Sequence, residues 1–242
     1  MGKILAFVSG KGGTGKTSMC AAIAVCLAAR KKSVLCVDLD VGLRNLDLAL
    51  GLTGEPLLPF TSLADGTYDF DHLFDHPSVP GLKALTAPVS LQSEEVDAEA
   101  FRALCEKAAE VFDFVLLDAP AGIGTLFRLA VDCCHEAVVV TGGDKAALRD
   151  GAQAARFLGG KPARILVNRV EKPILRKLNA NIDDMMDEIS LPLLGIVPED
   201  RNVPLAAGGG QPLILQSRRG AALACLRISG RLMGLKEPLR LR

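Results

Sequence analysis

Seven apolar runs recur along the chain, at Ile4 to Ser9, Val34 to Asp38, Leu82 to Ala87, Phe114 to Asp118, Ala137 to Thr141, Arg164 to Asn168 and Leu193 to Val197. Each is of strand length and nearly continuous in Val, Leu, Ile and Ala, the pattern of strands buried on both faces. Between them lie helical segments at Thr17 to Arg30, Asp97 to Val111, Thr125 to Cys133, Lys145 to Phe157 and Ile182 to Ile189, and a last one runs from Ala221 to Met233. Strand and helix in alternation predict an α/β fold, a mostly parallel central sheet with helices on both faces. Ligands of such sheets bind beyond the carboxyl ends of the strands. The stretch from Leu52 to Pro80 carries Pro56, Pro59, Pro77 and Pro80 and is the least regular part. No internal repeat or low-complexity linker interrupts the pattern.

At 242 residues the chain suits one α/β domain spanning 1–242, with a final helix over about 221–233 and a short tail, 234–242. Lys+Arg and Asp+Glu are both 28, so no overall basic field holds nucleic acid, and none is expected as a partner. Hydrophobic residues are 49% and aromatics 4%, with no Trp, which suits an aliphatic core and not base-stacking platforms. The seven cysteines contain no CxxC pair and sit among apolar residues, which reads as buried free thiols in a reducing cytosol. The chain runs straight into its first strand without a signal-like leader, and no 18-residue apolar run occurs. The expectation is a cytosolic protein without a membrane span.

Chemistry concentrates where the first strand ends. Gly10, Lys11, Gly12, Gly13, Thr14, Gly15, Lys16 and Thr17 fit GxxxxGK[ST], with a second lysine directly after the first glycine. Glycines let backbone N–H groups approach phosphate oxygens, Lys16 places a cation on the β and γ phosphates, and the Thr17 hydroxyl can ligate Mg²⁺. A strand precedes the loop and an Ala-rich helix follows from Thr17 and Ser18, so a helix N-terminus faces the anion. The bland alternative is an ordinary glycine turn.

Two further strands end in acids. Asp38 and Asp40 alternate at the end of the second run, so one carboxylate can approach hydrated Mg²⁺ while the other orients a water; an acidic helix cap before Leu43 to Leu50 is the structural alternative. Asp118 closes the fourth run ahead of Ala119, Pro120, Ala121 and Gly122. Asn168 and Arg169 end the sixth run, and Pro198, Glu199 and Asp200 the seventh. An asparagine amide offers a donor and an acceptor, which suits the edge of adenine, although Asn and Pro are also ordinary turn residues.

The KGGxGKT loop resembles the deviant Walker A motif of the MinD/ParA family of ATPases, and DLDVGLRNLD, residues 38–47, resembles switch I of its MinD branch position by position. The resemblance covers nearly the whole chain and implies a P-loop NTPase fold that binds ATP and Mg²⁺ and hydrolyses ATP. It further implies that Lys11 reaches across a homodimer to the partner's nucleotide, that Thr17, Asp38 and Asp118 lie at the metal, and that Asp40 positions the attacking water. On the same ground Asn45 helps hold the switch loop, Gly122 senses the γ phosphate, and Asn168, Arg169, Pro198, Glu199 and Asp200 line the base pocket. The implied role is an ATP-driven switch placing the bacterial division septum, with MinC-like and MinE-like partners and peripheral contact at the cell membrane. Two departures stand out. Gly124 occupies a place where the family often has an acid, which puts switch II partner contacts in doubt. The tail has only Leu239 and Leu241 alternating with Arg240 and Arg242, with Pro238 breaking any helix, so it reads as a solvated tail with at most weak contact to anionic lipid. A ParA-type partition ATPase usually carries proline and glutamine after the second aspartate, where this chain has Val41 and Gly42; a flagellar-placement homologue commonly lacks the arginine found here as Arg44.

Overall fold

The structure is a computed structural model, and it describes residues 1–41, 43–89, 95–171 and 182–239. Seven strands, β1 (Lys3–Val8), β2 (Val34–Asp38), β3 (Leu82–Leu85), β4 (Phe114–Asp118), β5 (Glu136–Thr141), β6 (Ala163–Val170) and β7 (Leu193–Pro198), form one sheet in the order β3-β2-β4-β1-β5-β6-β7. Every pairing in it is parallel. The longer helices are α1 (Lys16–Ala29), α4 (Ala98–Val111), α5 (Thr125–Cys133), α6 (Lys145–Arg156), Ile182–Ile189 and a final helix, Gly220–Leu232; short ones are α2 (Leu46–Leu50), α3 (Phe60–Ala64), Asn202–Gly208 and Leu213–Gln216. The α/β sheet with helices on both faces is the architecture read from the apolar runs.

Side chains alternate across the sheet and split the core in two. Ile4, Ala6 and Val8 of β1, with Val115 and Leu117 of β4, face the layer holding Phe101, Phe127 and Leu148 of α4, α5 and α6. Leu5 and Phe7, with Leu116 of β4, face α1, α2 and the final helix. Helix α1 is apolar all round, and Met19 to Ala28 are all buried, because sheet, α2 and final helix cover it from several sides. That cover holds the start of α1 rigidly at the end of β1.

β1 sits between β4 and β5, so the chain leaves it toward β2 and later returns on its other side as β5. The carboxyl ends of β1, β4 and β5 therefore diverge at a topological switch point, where a crevice opens. The register places Asp38 of β2 beside Asp118 of β4, and Asp118 beside Phe7 of β1.

Several boundaries differ from the sequence reading. β5 begins at Glu136, one residue earlier than the apolar run, because its carboxylate is buried and bonded to Lys3 (2.6 Å) and Arg164. β6 continues past Asn168 through a register irregularity, with Arg169 at φ 57°. α3 and the helices Asn202–Gly208 and Leu213–Gln216, of five, seven and four residues, are too short to show helical periodicity.

The segment after the final helix is not a free tail. Leu235 N–H donates to the Gly230 carbonyl, Arg30 Nη2 donates to Glu237 Oε1 at 2.9 Å, and the Arg231 guanidinium donates to the Glu237 carbonyl. These bonds correct the expectation of a solvated tail for residues up to Glu237, while Leu239 is 56% exposed. Arg240, Leu241 and Arg242 lie outside the described residues, as does Gly42. Among the described residues no helix is long and apolar enough to cross a membrane.

Candidate nucleotide site

The phosphate loop owes its shape to two glycines in the left-handed region, Gly13 (φ 79°) and Gly15 (φ 82°). A Cβ on Gly15 would lie 2.3 Å from Asn168 Nδ2, and one on Gly10 would lie 2.0 Å from the Asp150 carbonyl oxygen. Glycine is thus demanded by backbone conformation at one position and by close approach at both. Gly15 also precedes α1, whose first turn is closed by Met19 N–H donating to the Gly15 carbonyl. Lys11, Gly12, Gly13, Thr14, Gly15, Lys16, Thr17 and Ser18 line a cleft of about 350 Å³ together with Asp40 and Asn45. Gly10 does not line it and packs closely against the Asp150 backbone of α6.

Beneath the cleft lies a buried charge cluster. Lys16, 6% exposed, donates from Nζ to Asp118 Oδ1 at 2.5 Å, and Asp118 Oδ2 is buried with no partner among the described residues. Asp38 accepts from Asp40 N–H (2.9 Å) and Leu46 N–H (3.1 Å), the second at the start of α2. The cap-like alternative is thus seen, since this aspartate organises the turn into α2, and the register also sets it beside Asp118 of the lysine–aspartate pair. Burial, then the charge of Asp118, pushes the Asp38 carboxyl up to about 6, against its two amide bonds. Asp40 is also raised, by burial first, with Lys16 opposing and Asp118 adding. Unlike Asp38 and Asp118, Asp40 reaches the cleft.

Lys11 points elsewhere. Its Nζ lies 3.1 Å from Asp150 Oδ2 on α6, and the side chain is 42% exposed at the border of a second cleft of about 410 Å³ shared with Gly142, Gly143, Asp144 and Arg169. Asp150 and this cleft were not anticipated, because nothing in the spacing links residue 11 to residue 150. The turn after β4 is tied to the residue that follows β1, Gly122 N–H donating to the Ser9 carbonyl, with Gly122 at φ 86°. A Cβ at Gly124 would meet no atom within 4 Å, so steric fit does not demand glycine there.

A third cleft, about 270 Å³, gathers Asn168, Arg169, Pro198, Glu199 and Asp200 against Gly13, Gly15 and Ser18. The ends of β6 and β7 thus meet the phosphate loop. Two of these residues carry structural bonds as well. Asn168 Nδ2 donates to the Thr14 carbonyl at 2.8 Å, and Asp200 accepts from Asn202 N–H and from Ala221 N–H at the start of the final helix. Arg169 and Glu199 pair with each other at 2.8 Å on the rim. Val203, Pro204 and Ala207 supply an apolar wall that sequence reasoning missed, because their helix has no periodic signature.

Comparison with known proteins decides the family. The CobQ/CobB/MinD/ParA nucleotide binding domain matches residues 5–213. The septum site-determining protein MinD of Synechocystis sp. is 34% identical, over 98% of this chain and 92% of its own length. The chain belongs to the MinD branch of the MinD/ParA family of ATPases. Among solved structures, the MinC:MinD cell division protein complex of Aquifex aeolicus superposes with a TM-score of 0.89 at 28% identity, covering 98% of each chain. The septum site-determining protein MinD of Pyrococcus horikoshii, complexed with Mg-ADP, superposes with a TM-score of 0.83 at 26% identity, covering 96% of each chain. This MinD-type chain shares their P-loop NTPase fold.

The residues present fit a Mg²⁺ nucleotide. Among the described residues no three His, Cys, Asp or Glu side chains converge as a metal site. Mg²⁺ suits such a place, since it keeps waters and takes few protein ligands beside phosphate oxygens. The orphaned Asp118 Oδ2, the raised Asp38 and the Thr17 hydroxyl of the cleft are oxygen donors of that kind. A carboxyl with a raised folded pKa opposes folding once ionised. Asp38 therefore costs stability above pH about 6, and the cost fades as pH falls toward the ordinary value of about 4. Asp38→Asn is expected to stabilise the nucleotide-free protein at pH 8 by up to about 2 kcal/mol, less whatever its amide bonds lose. Urea denaturation at pH 8 and pH 4.5 checks this: the gain should shrink at the lower pH, and a pH-independent difference would contradict the assignment.

Proposed function

We propose that this chain is a single-domain, dimerising ATPase switch that hydrolyses ATP to ADP and phosphate and controls placement of the division septum. The observation that carries the proposal is the convergence of Lys16, Thr17 and Asp40 on one cleft over the buried Asp38 and Asp118 carboxylates. In this reading Gly10 to Ser18 cradle the phosphates, and Lys16 turns its ammonium toward the β and γ oxygens while keeping Asp118 as its counter-charge. Thr17, Asp38 and Asp118 hold Mg²⁺, directly or through water; when bound, the ion neutralises charge developing on the phosphates. Asp40 accepts a hydrogen bond from the attacking water and aims it in line with the γ phosphate. Asn168, Arg169, Pro198, Glu199 and Asp200 receive the adenine against the wall of Val203, Pro204 and Ala207. Because Asn168 also bonds the Thr14 carbonyl, base binding and loop shape share one side chain.

Lys11 is proposed to act on the nucleotide of the partner subunit. That role requires it to leave Asp150, an exposed pairing worth little, so the exchange is cheap. A MinC-like division inhibitor and a MinE-like or other topological regulator are the proposed partners. The Aquifex relative is solved as a MinC:MinD complex, which supports the first.

Lys16→Ala should nearly abolish Mg·ATP binding, since it removes the phosphate cation and leaves the acids beneath uncompensated. Titration with a fluorescent ATP analogue measures it, and unchanged affinity would sink the phosphate-loop assignment. Asp40→Ala should still bind ATP but turn it over about 100-fold or more slowly, so that an ATP-held dimer accumulates. Adding Lys11→Ala should lower that dimer fraction in size-exclusion chromatography with ATP; an unaltered fraction rejects the action across the interface.

Membrane contact is proposed to be weak and confined to anionic lipid. Glu237 is clasped to Arg30 and Arg231, and burying one or two leucines of the tail yields only a few kcal/mol. Sedimentation with phosphatidylglycerol vesicles should show ATP-dependent binding that disappears as salt is raised. Tight, salt-resistant binding to neutral vesicles would contradict this reading of the tail.

A further inference from the structure

Among the described residues one histidine is buried, His76, 5% exposed and used by no step above. Both of its ring nitrogens are engaged. Nε2 lies 2.9 Å from the Leu50 carbonyl, which can only accept, and Nδ1 accepts from Ser78 N–H at 3.1 Å. The two partners fix one neutral tautomer, with the proton on Nε2. His76 N–H also donates to the Leu82 carbonyl at 3.1 Å, which ties it to the first residue of edge strand β3. Leu50 ends α2, and its carbonyl is one of those that a helix end leaves without a partner inside the helix. The imidazole thus joins the sheet edge to the rear of α2.

The front of α2 belongs to the nucleotide cleft. Leu46 N–H donates to Asp38 Oδ2, and Leu48 and Ala49 line the same cleft as Asp40 and Asn45. Between Asp38 and α2 the backbone is strained: Arg44 has φ 44°, a left-handed conformation that a non-glycine residue keeps only where its surroundings impose it. Three contacts fix the helix behind it. Leu46 and Leu50 are buried in the core layer of α1. Gly51, at φ 72°, packs so closely that a Cβ would lie 2.6 Å from the Gly210 carbonyl oxygen. The bond from His76 to Leu50 is the directional one, and a buried carbonyl is costly to leave without it.

We propose that His76 is a positioning residue for ATP turnover, an inference that rests on the reading of Asp40 given above. It holds the rear of α2, and through α2 the strained segment that carries Asp40 and Asn45, so that the Asp40 carboxylate keeps its place in the cleft. His76 touches neither nucleotide nor water, and the loop from Gly10 to Ser18 that cradles the phosphates stands on β1 and α1. Loss of the Leu50 bond therefore slows turnover and leaves nucleotide affinity nearly as it was.

The test uses the intact chain. His76→Gln sets an amide N–H at the reach of Nε2 and keeps the donor to Leu50. His76→Asn sets a carbonyl at the reach of Nδ1, keeps the acceptor for Ser78 and falls short of Leu50. Both delete the ring, so a loss common to the two reports packing alone. His76→Asn should lower kcat about tenfold, with KM and the affinity for a fluorescent ATP analogue within about twofold, and His76→Gln should restore at least about half of the rate. Equal loss in both variants, no loss in His76→Asn, or a fall in affinity with kcat unchanged would overturn the proposal. Asp40→Ala run alongside separates the two readings: turnover at the unaltered rate removes the role of Asp40 and that of His76 with it, whereas a slow Asp40→Ala beside a fast His76→Asn removes that of His76 alone. Nitrogen-15 NMR of the unaltered protein guards against a misfolded variant: the His76 ring should carry its proton on Nε2 at neutral pH, and a proton on Nδ1 instead leaves Leu50 without its donor and sinks the proposal.

Discussion

Lys16 and Asp118 are held 2.5 Å apart with almost no exposure, one at the start of a helix and the other at the end of a central strand. Taking both charges out of water costs several kcal/mol, and their attraction offsets this only when geometry is good and remaining lone pairs are satisfied. Here one lone-pair site is not satisfied, since Asp118 Oδ2 has no partner among the described residues, and Asp38 sits beside it in register on β2. The nucleotide-free protein therefore carries two carboxylates against one buried ammonium. In the proposed function, a cation and a polyphosphate arriving together would relieve that imbalance, the cation at the free carboxylate oxygens and the phosphates at the lysine.

The rest of the site is arranged around this pair. Asp40 lies two residues beyond Asp38, half-buried, close enough for Lys16 and Asp118 to act on it, yet open to the cleft. The loop above is thin because Gly10 and Gly15 pack directly against Asp150 and Asn168, where a side chain would displace one or the other. Asn168 and Asp200 show the same economy at the ends of β6 and β7, each bonded into the scaffold and each lining the third cleft. A substitution at either position will perturb loop or helix start as well as the ligand, so its effects cannot be read as lost contacts alone.

How much was legible follows from the reach of each signal. The parallel sheet was readable because every strand is buried on both faces and so is apolar without alternation. That Lys11 to Ser18, Asp40 and Asn45 would gather at one cleft was readable because these residues stand in two contiguous motifs at the ends of neighbouring strands. The short helices Asn202–Gly208 and Leu213–Gln216 were not, since four to seven residues carry no period. The tail was misread because its stability comes from Arg30, more than 200 positions away, and no local pattern announces a partner that distant.

The sequence by itself determined the layered architecture of the fold, the glycine-rich loop after β1 and the acids that close β2 and β4, because local spacing and burial dictate all three. Tertiary structure decided which acids meet and in what state. Strand order alone sets β2 against β4 and so puts Asp38 beside Asp118, raises the one and leaves the other with an open oxygen. It also decided that Lys11 rests on Asp150. The physical reason is the same in each case: the interactions of charged groups depend on through-space distance and solvent access, and neither is encoded in separation along the chain.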